Sequence, residues 1–394
     1  MEFFYLDHNA TTPMHPDAIE AMRWVQREHF GNASSIHSCG SDARRRLEDA
    51  RGKIAKMIGC KPGELYFTSG GTEANNWAFH GILRERRHTG FITSTVEHKS
   101  ILEAAAHLTW DRTCHNIPVD KDGIVELANV DSDLKKIEDN LLIEIEPACL
   151  VSIMLANNET GVIQPVGDVV DAVKHLSPGS LVHTDAVQVF GKHPINVVEL
   201  GVDMMTISAH KVGGPKGIGA LYVREGVKID PLIRGGHQER DRRAGTENVA
   251  AAVGFQVAAS LRLENLKEYS AAVKKHRDEL AVRLLDMLDG IWVNGGERER
   301  LCNTLNVRFR GVDSEALVLL LSGLGVLVSN GSACESGALE GSHVLQAMGQ
   351  SEEDSRSAIR FSFSDDLPGA AVEMIAQRVI ESVNSLRGMS TVTL

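Results

Sequence analysis

Short apolar runs alternate with amphipathic stretches along most of the chain, with no internal repeat, low-complexity tract or long Pro/Ser linker between them. The runs at 65–68, 91–95, 150–155, 181–185, 204–208 and 219–223 are apolar, short and bounded by turn residues, which predicts strands. Between several of them the apolar positions recur at helical spacing. In 41–59, Leu47, Ala50, Ile54 and Met57 return every three to four residues, with Ser41 as the expected N-cap and Gly59 as the C-terminal stop. Strands alternating with helices predict an α/β architecture, a mostly parallel sheet covered on both faces.

From about residue 260 the pattern changes. An amphipathic helix is predicted through Leu266, Val273, Leu280, Leu284 and Leu288, ending near Gly290. A strand at 304–309, a helix at 314–321, a short strand at 326–329, a Gly/Ser-rich loop and a last helix at 370–386 follow. This predicts a smaller α+β domain. The expected division is a large domain over 15–260 and a small one built from 1–14 and 261–394.

Composition narrows the function classes. The 394 residues are 43% hydrophobic and 24% charged, enough apolar material for a large core, which excludes global disorder. The net charge of −12 argues against attachment to nucleic acid by bulk electrostatics. No apolar run approaches the roughly 20 residues of a membrane span, and the start lacks a basic segment followed by an apolar one. The six cysteines, at 39, 60, 114, 149, 302 and 334, form no C-x-x-C pair, and H-E-x-x-H is absent. A reducing cytoplasm and no resident metal are the expectation.

Three segments carry chemistry. Ser208-Ala209-His210-Lys211, followed by glycines, places a lysine at a strand end between polar residues, a setting for a Schiff-base amine. Gly70-Gly71-Thr72 joins a strand to a helix start, where backbone N–H groups and the helix dipole favour a phosphate. Asp185 closes another strand, at the sheet edge where open α/β sheets bind ligands, and can pair with a protonated pyridine nitrogen; Gln188 lies within one turn of it. Taken singly, these are a surface lysine, an ordinary strand-to-helix turn capped by Thr72, and an Asp N-cap. Together, and in this order, they meet the three needs of pyridoxal 5'-phosphate.

The chain closely resembles the cysteine desulfurases, pyridoxal-phosphate enzymes of the class V aminotransferase group, and within them the iron–sulfur-assembly and nitrogenase-associated branch. The resemblance runs end to end, through Tyr5-Leu6-Asp7-His8-Asn9-Ala10-Thr11-Thr12, Gly31-Asn32-Ala33-Ser34-Ser35-Ile36-His37 and Ala156-Asn157-Asn158-Glu159-Thr160-Gly161. It continues in Arg234-Gly235-Gly236-His237-Gln238-Glu239, Arg243-Ala244-Gly245-Thr246-Glu247-Asn248 and Gly331-Ser332-Ala333-Cys334. It implies the fold type I of pyridoxal-phosphate enzymes, a homodimer and L-cysteine as substrate.

The resemblance also implies roles. Lys211 would be the Schiff-base lysine and would later move the Cα proton. Asp185 would hold the pyridinium, Gln188 the phenolic oxygen with Asn158 nearby, and His98 would stack on the ring and relay a proton. Gly71, Thr72, Ser208 and His210 would hold the phosphate, and Thr246 the phosphate of the partner subunit. Asn158 and Arg360 would bind substrate, Arg360 clamping its carboxylate with a fork-shaped guanidinium. Each also has a plain structural explanation: a satisfied core histidine for His98, turn residues for Asn158 and Gln188, an ion pair for Arg360.

Cys334 decides the reaction, because it lies in a run of small residues that suits a thiol which attacks a substrate sulfur and then presents the persulfide elsewhere. During transfer it could touch a nascent iron–sulfur cluster. Glu335 stands where relatives often carry a small hydroxyl residue, and a carboxylate there raises a neighbouring thiol pKa. The 334–343 segment resembles the longer loop type of the family. The expected function is conversion of L-cysteine to L-alanine, the sulfur passing through Cys334 to an iron–sulfur scaffold or another thiol acceptor. The alternatives are a class V aminotransferase or lyase without persulfide chemistry, a selenocysteine lyase, and a non-enzymatic partner platform.

Overall fold

A computed structural model describes residues 3–85, 90–108, 114–130, 132, 134, 150–330 and 341–389. In chain order the strands are β1 (Phe4–Tyr5), β2 (Leu65–Thr68), β3 (Phe91–Ser94), β4 (Cys114–Ile117), β5 (Leu150–Ser152) and β6 (Leu181–Asp185). They continue with β7 (Met204–Ser208), β8 (Gly219–Val223), β9 (Ile291–Val293), β10 (Thr304–Phe309), β11 (Val326–Leu327) and β12 (Ala358–Ser362).

A seven-stranded sheet runs β2-β8-β7-β6-β5-β3-β4. Only β8 is antiparallel to its neighbours, so the sheet is mixed but mostly parallel, as the alternating pattern predicts. Its central strands, β5 to β8, are buried throughout, which is why they read as near-continuous apolar runs. One face packs on a core that includes Leu47, Ile54, Val151, Met205 and Phe255; the other on Trp77, Phe79, Phe91, Leu150 and Leu221. A second core joins Phe4 and Leu6 to Val273, Leu284, Phe309, Phe361 and Val379, around the sheet β12-β10-β9 and the pair β1-β11.

The helix expected at 41–59 starts three residues earlier, at Ser38–Ile58, because His37 supplies the cap: its Nδ1 accepts the Gly40 N–H at 3.3 Å. Ser41 therefore lies inside the helix. Gly59 ends it as expected, in the left-handed region at φ 78°, where a residue with a side chain is strained. The apolar run at 150–155 pairs as a strand only over Leu150–Ser152, although Ile153 and Leu155 still bond to the neighbouring β6. The character change near residue 260 falls inside a helix, Val249–Glu264, whose buried face joins the first core. The next helix, Leu266–Met287, buries Tyr269, Val273, Leu280 and Leu284 in the second.

Candidate active site

Ser94, Asp185 and Ser208 end parallel strands, and Thr68 ends β2, so the loops that follow converge at one sheet edge. They surround a cavity of about 360 Å³ lined by Gly71, Thr72, His98, Asp185, Ser208 and Lys211. Asn158, Gln188, His210 and Arg360 line it as well. Residues separated by as many as 289 positions in the chain thus meet at one cavity.

At one end lies the start of helix Gly71–Glu85, with the dipole and N–H groups that favour an anion. A Cβ on Gly71 would come within 2.9 Å of Val187 Cγ2, so only glycine lets the backbone sit this close. Ser208 Oγ, 1% exposed by residue, is buried without a hydrogen-bond partner. Such an atom next to a helix start fits a phosphate. His210 is tied to the N-terminal segment, its carbonyl accepting from Thr12 Oγ1 at 2.8 Å. Burial, with the Lys211 charge adding to it, brings His210 down to about 4, so it serves as a neutral hydrogen-bonding group.

Asp185 is held at both oxygens. The Val187 N–H donates to Oδ1 at 2.9 Å, the local turn bond expected of an Asp at a strand end, and Asn75 Nδ2 donates to Oδ2 at 2.7 Å. The other Asn75 proton goes to Ser100 Oγ at 2.8 Å. The Ser100 hydroxyl (2.8 Å) and N–H (3.1 Å) both meet His98 Nδ1. His98 directly precedes helix Lys99–Leu108, so its Nδ1 acts as a helix cap, and the proton of the neutral ring belongs on Nε2. Burial lowers the His98 pKa, against the pull of the Asp185 charge. Asn75 carries no role in the sequence analysis; the signal that could have found it is its spacing of four from Gly71, about one helical turn.

Asn9 is the hub of the opposite wall. Its carbonyl accepts from Lys211 Nζ and from Gln188 Nε2 (3.1 Å), and its Oδ1 from Lys192 Nζ (3.0 Å) and Asn303 Nδ2 (2.9 Å). Its Nδ2 donates to Asn158 O (3.1 Å) and Thr304 Oγ1 (2.9 Å). Lys211 Nζ also donates to Ala10 O at 2.8 Å. Arg360, 2% exposed, makes the structural ion pair that was its plain explanation, with Asp7 at 2.7 Å, and donates to Asn158 O at 3.2 Å. Both contacts fix its plane while it lines the cavity.

Cys334 and Glu335 lie outside the described residues. The flanking chain is anchored at the cavity. Ser329 pairs with Arg360, Ser342 Oγ donates to Glu159 Oε2 at 2.5 Å, and His343, which lines the cavity, bonds Glu97 O through Nε2 at 3.0 Å. Thr246 is exposed and does not line the cavity of its own chain.

The family model described as aminotransferase class-V matches residues 4–373. The chain belongs to this family, whose members here are pyridoxal-phosphate enzymes. It is 42% identical over 395 residues to the cysteine desulfurase IscS of Methanosarcina thermophila, spanning 99% of this chain and 94% of that protein. It is 42% identical over 394 residues to the cysteine desulfurase of Gluconacetobacter diazotrophicus, spanning 99% and 96%. A solved structure titled NifS-like protein superposes with a TM-score of 0.88 at 37% identity, covering 97% of this chain and all of that one. Within the family the chain is therefore one of the cysteine desulfurases.

Proposed function

We propose that the chain takes sulfur from L-cysteine, releases L-alanine, and hands the sulfur on from Cys334. The observation that supports this most is the meeting of Lys211, Asp185, His98 and Arg360 at one cavity, with both anchors of the Cys334 segment at its rim.

Pyridoxal phosphate bound there supplies an electron sink for negative charge at the substrate Cα. Gly71, Thr72, Ser208 and His210 would hold its phosphate, Asp185 its pyridine N–H, and Gln188 its phenolic oxygen. Arg360 and Asn158 orient the substrate carboxylate. Lys211 Nζ, which would join the cofactor, would also move the substrate Cα proton. His98, with its proton on Nε2, would contact the cofactor and pass a proton. The Cys334 thiolate bonds to the substrate sulfur as the Cβ–S bond breaks. The sulfur stays on Cys334 as a persulfide, and the carbon skeleton takes up a proton and leaves as alanine.

The exposure of Thr246 suits a homodimer in which it completes the phosphate site of the second copy. The acceptor is an iron–sulfur scaffold or another thiol protein, and the compartment is the cytoplasm. No helix among the described residues is long and apolar enough to cross a membrane. In this reading the 15–260 domain holds the cofactor, while 1–14 and 261–394 carry the Cys334 segment.

Cys334→Ala tests the reading: it should bind cofactor and cysteine yet make no alanine. Alanine and sulfide production at the wild-type rate would overturn the persulfide route in favour of a lyase. Borohydride reduction and peptide mapping should place the pyridoxyl group on Lys211; placement on Lys216 would overturn that assignment.

A further inference from the structure

Lys192 is a second lysine in the site wall. It lies in the turn after β6, four residues beyond Gln188, and is 4% exposed. Its Nζ donates to Gln188 Oε1 and to Asn9 Oδ1, each at 3.0 Å. Among the described residues it has no carboxylate partner at ion-pair distance. A lysine buried in this way costs stability that an apolar side chain would not. Its placement therefore calls for an explanation beyond packing.

The charged and titratable groups that face it come from every side. Lys211 approaches from the strand end, Arg262 from helix Val249–Glu264 and Arg360 from β12. His8 of the N-terminal segment and the Cys302 thiol complete the set. Burial first, and the Lys211 charge second, bring Lys192 down to about 7. Repulsion between two ammonium groups is mutual, so each favours the neutral form of the other.

We propose that Lys192 is a positioning residue of this site: it fixes Gln188 as a hydrogen-bond donor to the cavity and, when protonated, places a positive charge beside Lys211 that favours loss of the Lys211 proton. The inference rests on the reading of Lys211 as the cofactor lysine. The first part follows from donor chemistry. An ammonium only donates, so the Gln188 atom beside it is the oxygen. Nε2 then has one proton on Asn9 O and a second for the cavity that Gln188 lines. The second part is the principle by which a neighbouring cation activates a buried amine.

The test is a pH titration of the visible absorbance of purified holoenzyme, which reports the proton on the nitrogen joining Lys211 to pyridoxal phosphate. In Lys192→Met the midpoint should rise by roughly one pH unit, while Lys192→Arg, charged at every working pH, should not raise it. Lys192→Gln still bonds Asn9 and Gln188 but carries no charge, and answers the question if the Met variant does not fold; its midpoint should rise as well. A role in packing alone would change cofactor retention without moving the midpoint. An unchanged midpoint in folded Met or Gln variants, with the pyridoxyl group mapped to Lys211, overturns the proposal while leaving the cofactor-lysine reading intact. Mapping of that group to another lysine overturns both.

Discussion

Replacing Asn9 by alanine removes four hydrogen bonds at once from a wall that is almost wholly buried. Asn158 O and Thr304 Oγ1 lose a donor, and Lys192 Nζ and Asn303 Nδ2 lose an acceptor. Asn9 itself is 1% exposed, so water cannot replace the amide without entering the space it vacates. At about 1 kcal/mol for each of the three neutral bonds and ~2 kcal/mol for the one from the Lys192 ammonium, the loss sums to about 5 kcal/mol. Asn9→Asp keeps the two accepting contacts and loses the two donating ones, so about half of that loss is expected. Asn265→Ala is the control: the same change at an exposed position with one bond to Leu261 O should stay within ~0.5 kcal/mol of wild type. The assay is urea unfolding of holoenzyme followed by circular dichroism, at one fixed protein and cofactor concentration because both shift apparent stability. The expected order of loss is Asn9→Ala, then Asn9→Asp, then Asn265→Ala. If Asn9→Ala unfolds within ~1 kcal/mol of the control, the hub does not hold the wall together and the reasoning fails.

Arg51 and Glu239 form a buried two-pronged pair at 2.6 and 2.7 Å, and Glu239 also accepts the Phe67 N–H. Arg51→Met strands that carboxylate and should cost ~3–5 kcal/mol in urea unfolding, with part recovered by adding Glu239→Gln; an unchanged midpoint refutes the pairing argument. Burial, reinforced by the Asp185 charge, pushes the Glu97 carboxyl up from 4.5 to about 8. The folded chain therefore keeps a proton that the unfolded chain releases, and stability should fall as pH rises through that window. Glu97→Gln should flatten that fall in urea midpoints measured across it, and an identical slope would count against it. Asn75→Ala removes the link from Asp185 to Ser100 and His98, and alanine formation from cysteine should drop by ~10–100-fold; wild-type turnover would show that the link is only structural.

The strands at 65–68, 181–185, 204–208, 219–223 and 304–309 appear in the structure with the limits the sequence pattern predicts. Buried strands announce themselves locally, because an apolar run bounded by turn residues has few other uses. Gly71, Asp185 and Lys211 were legible for a related reason: each stands at a strand end or helix start, where the local motif already indicates the sheet edge that binds ligands. Short pairings were less visible. β1 was not predicted, and β11, expected at 326–329, pairs only over Val326 and Leu327, against Phe4 and Tyr5. His37 displaced Ser41 as a cap because a ring nitrogen can take the place of a hydroxyl, which propensity does not foresee.

In the buried wall of the site, Asn158, Gln188 and Arg360 were named from the sequence, but the Asn9 hub that joins them was not legible. Asn9 meets Asn158, Gln188, Lys192, Asn303 and Thr304 across separations of 149 to 295 positions. No periodicity encodes such contacts, because a polar side chain looks alike in sequence whether it faces water or fills a hydrogen-bond network. Lys192 reads as one more lysine after a turn until folding closes the N-terminal segment over it and leaves Gln188 and Asn9 as its acceptors. Local pattern thus set the strands and the residue types at their ends. Long-range packing, which alone decides which polar atoms are shut away from water and must satisfy one another, set how those residues are held and charged.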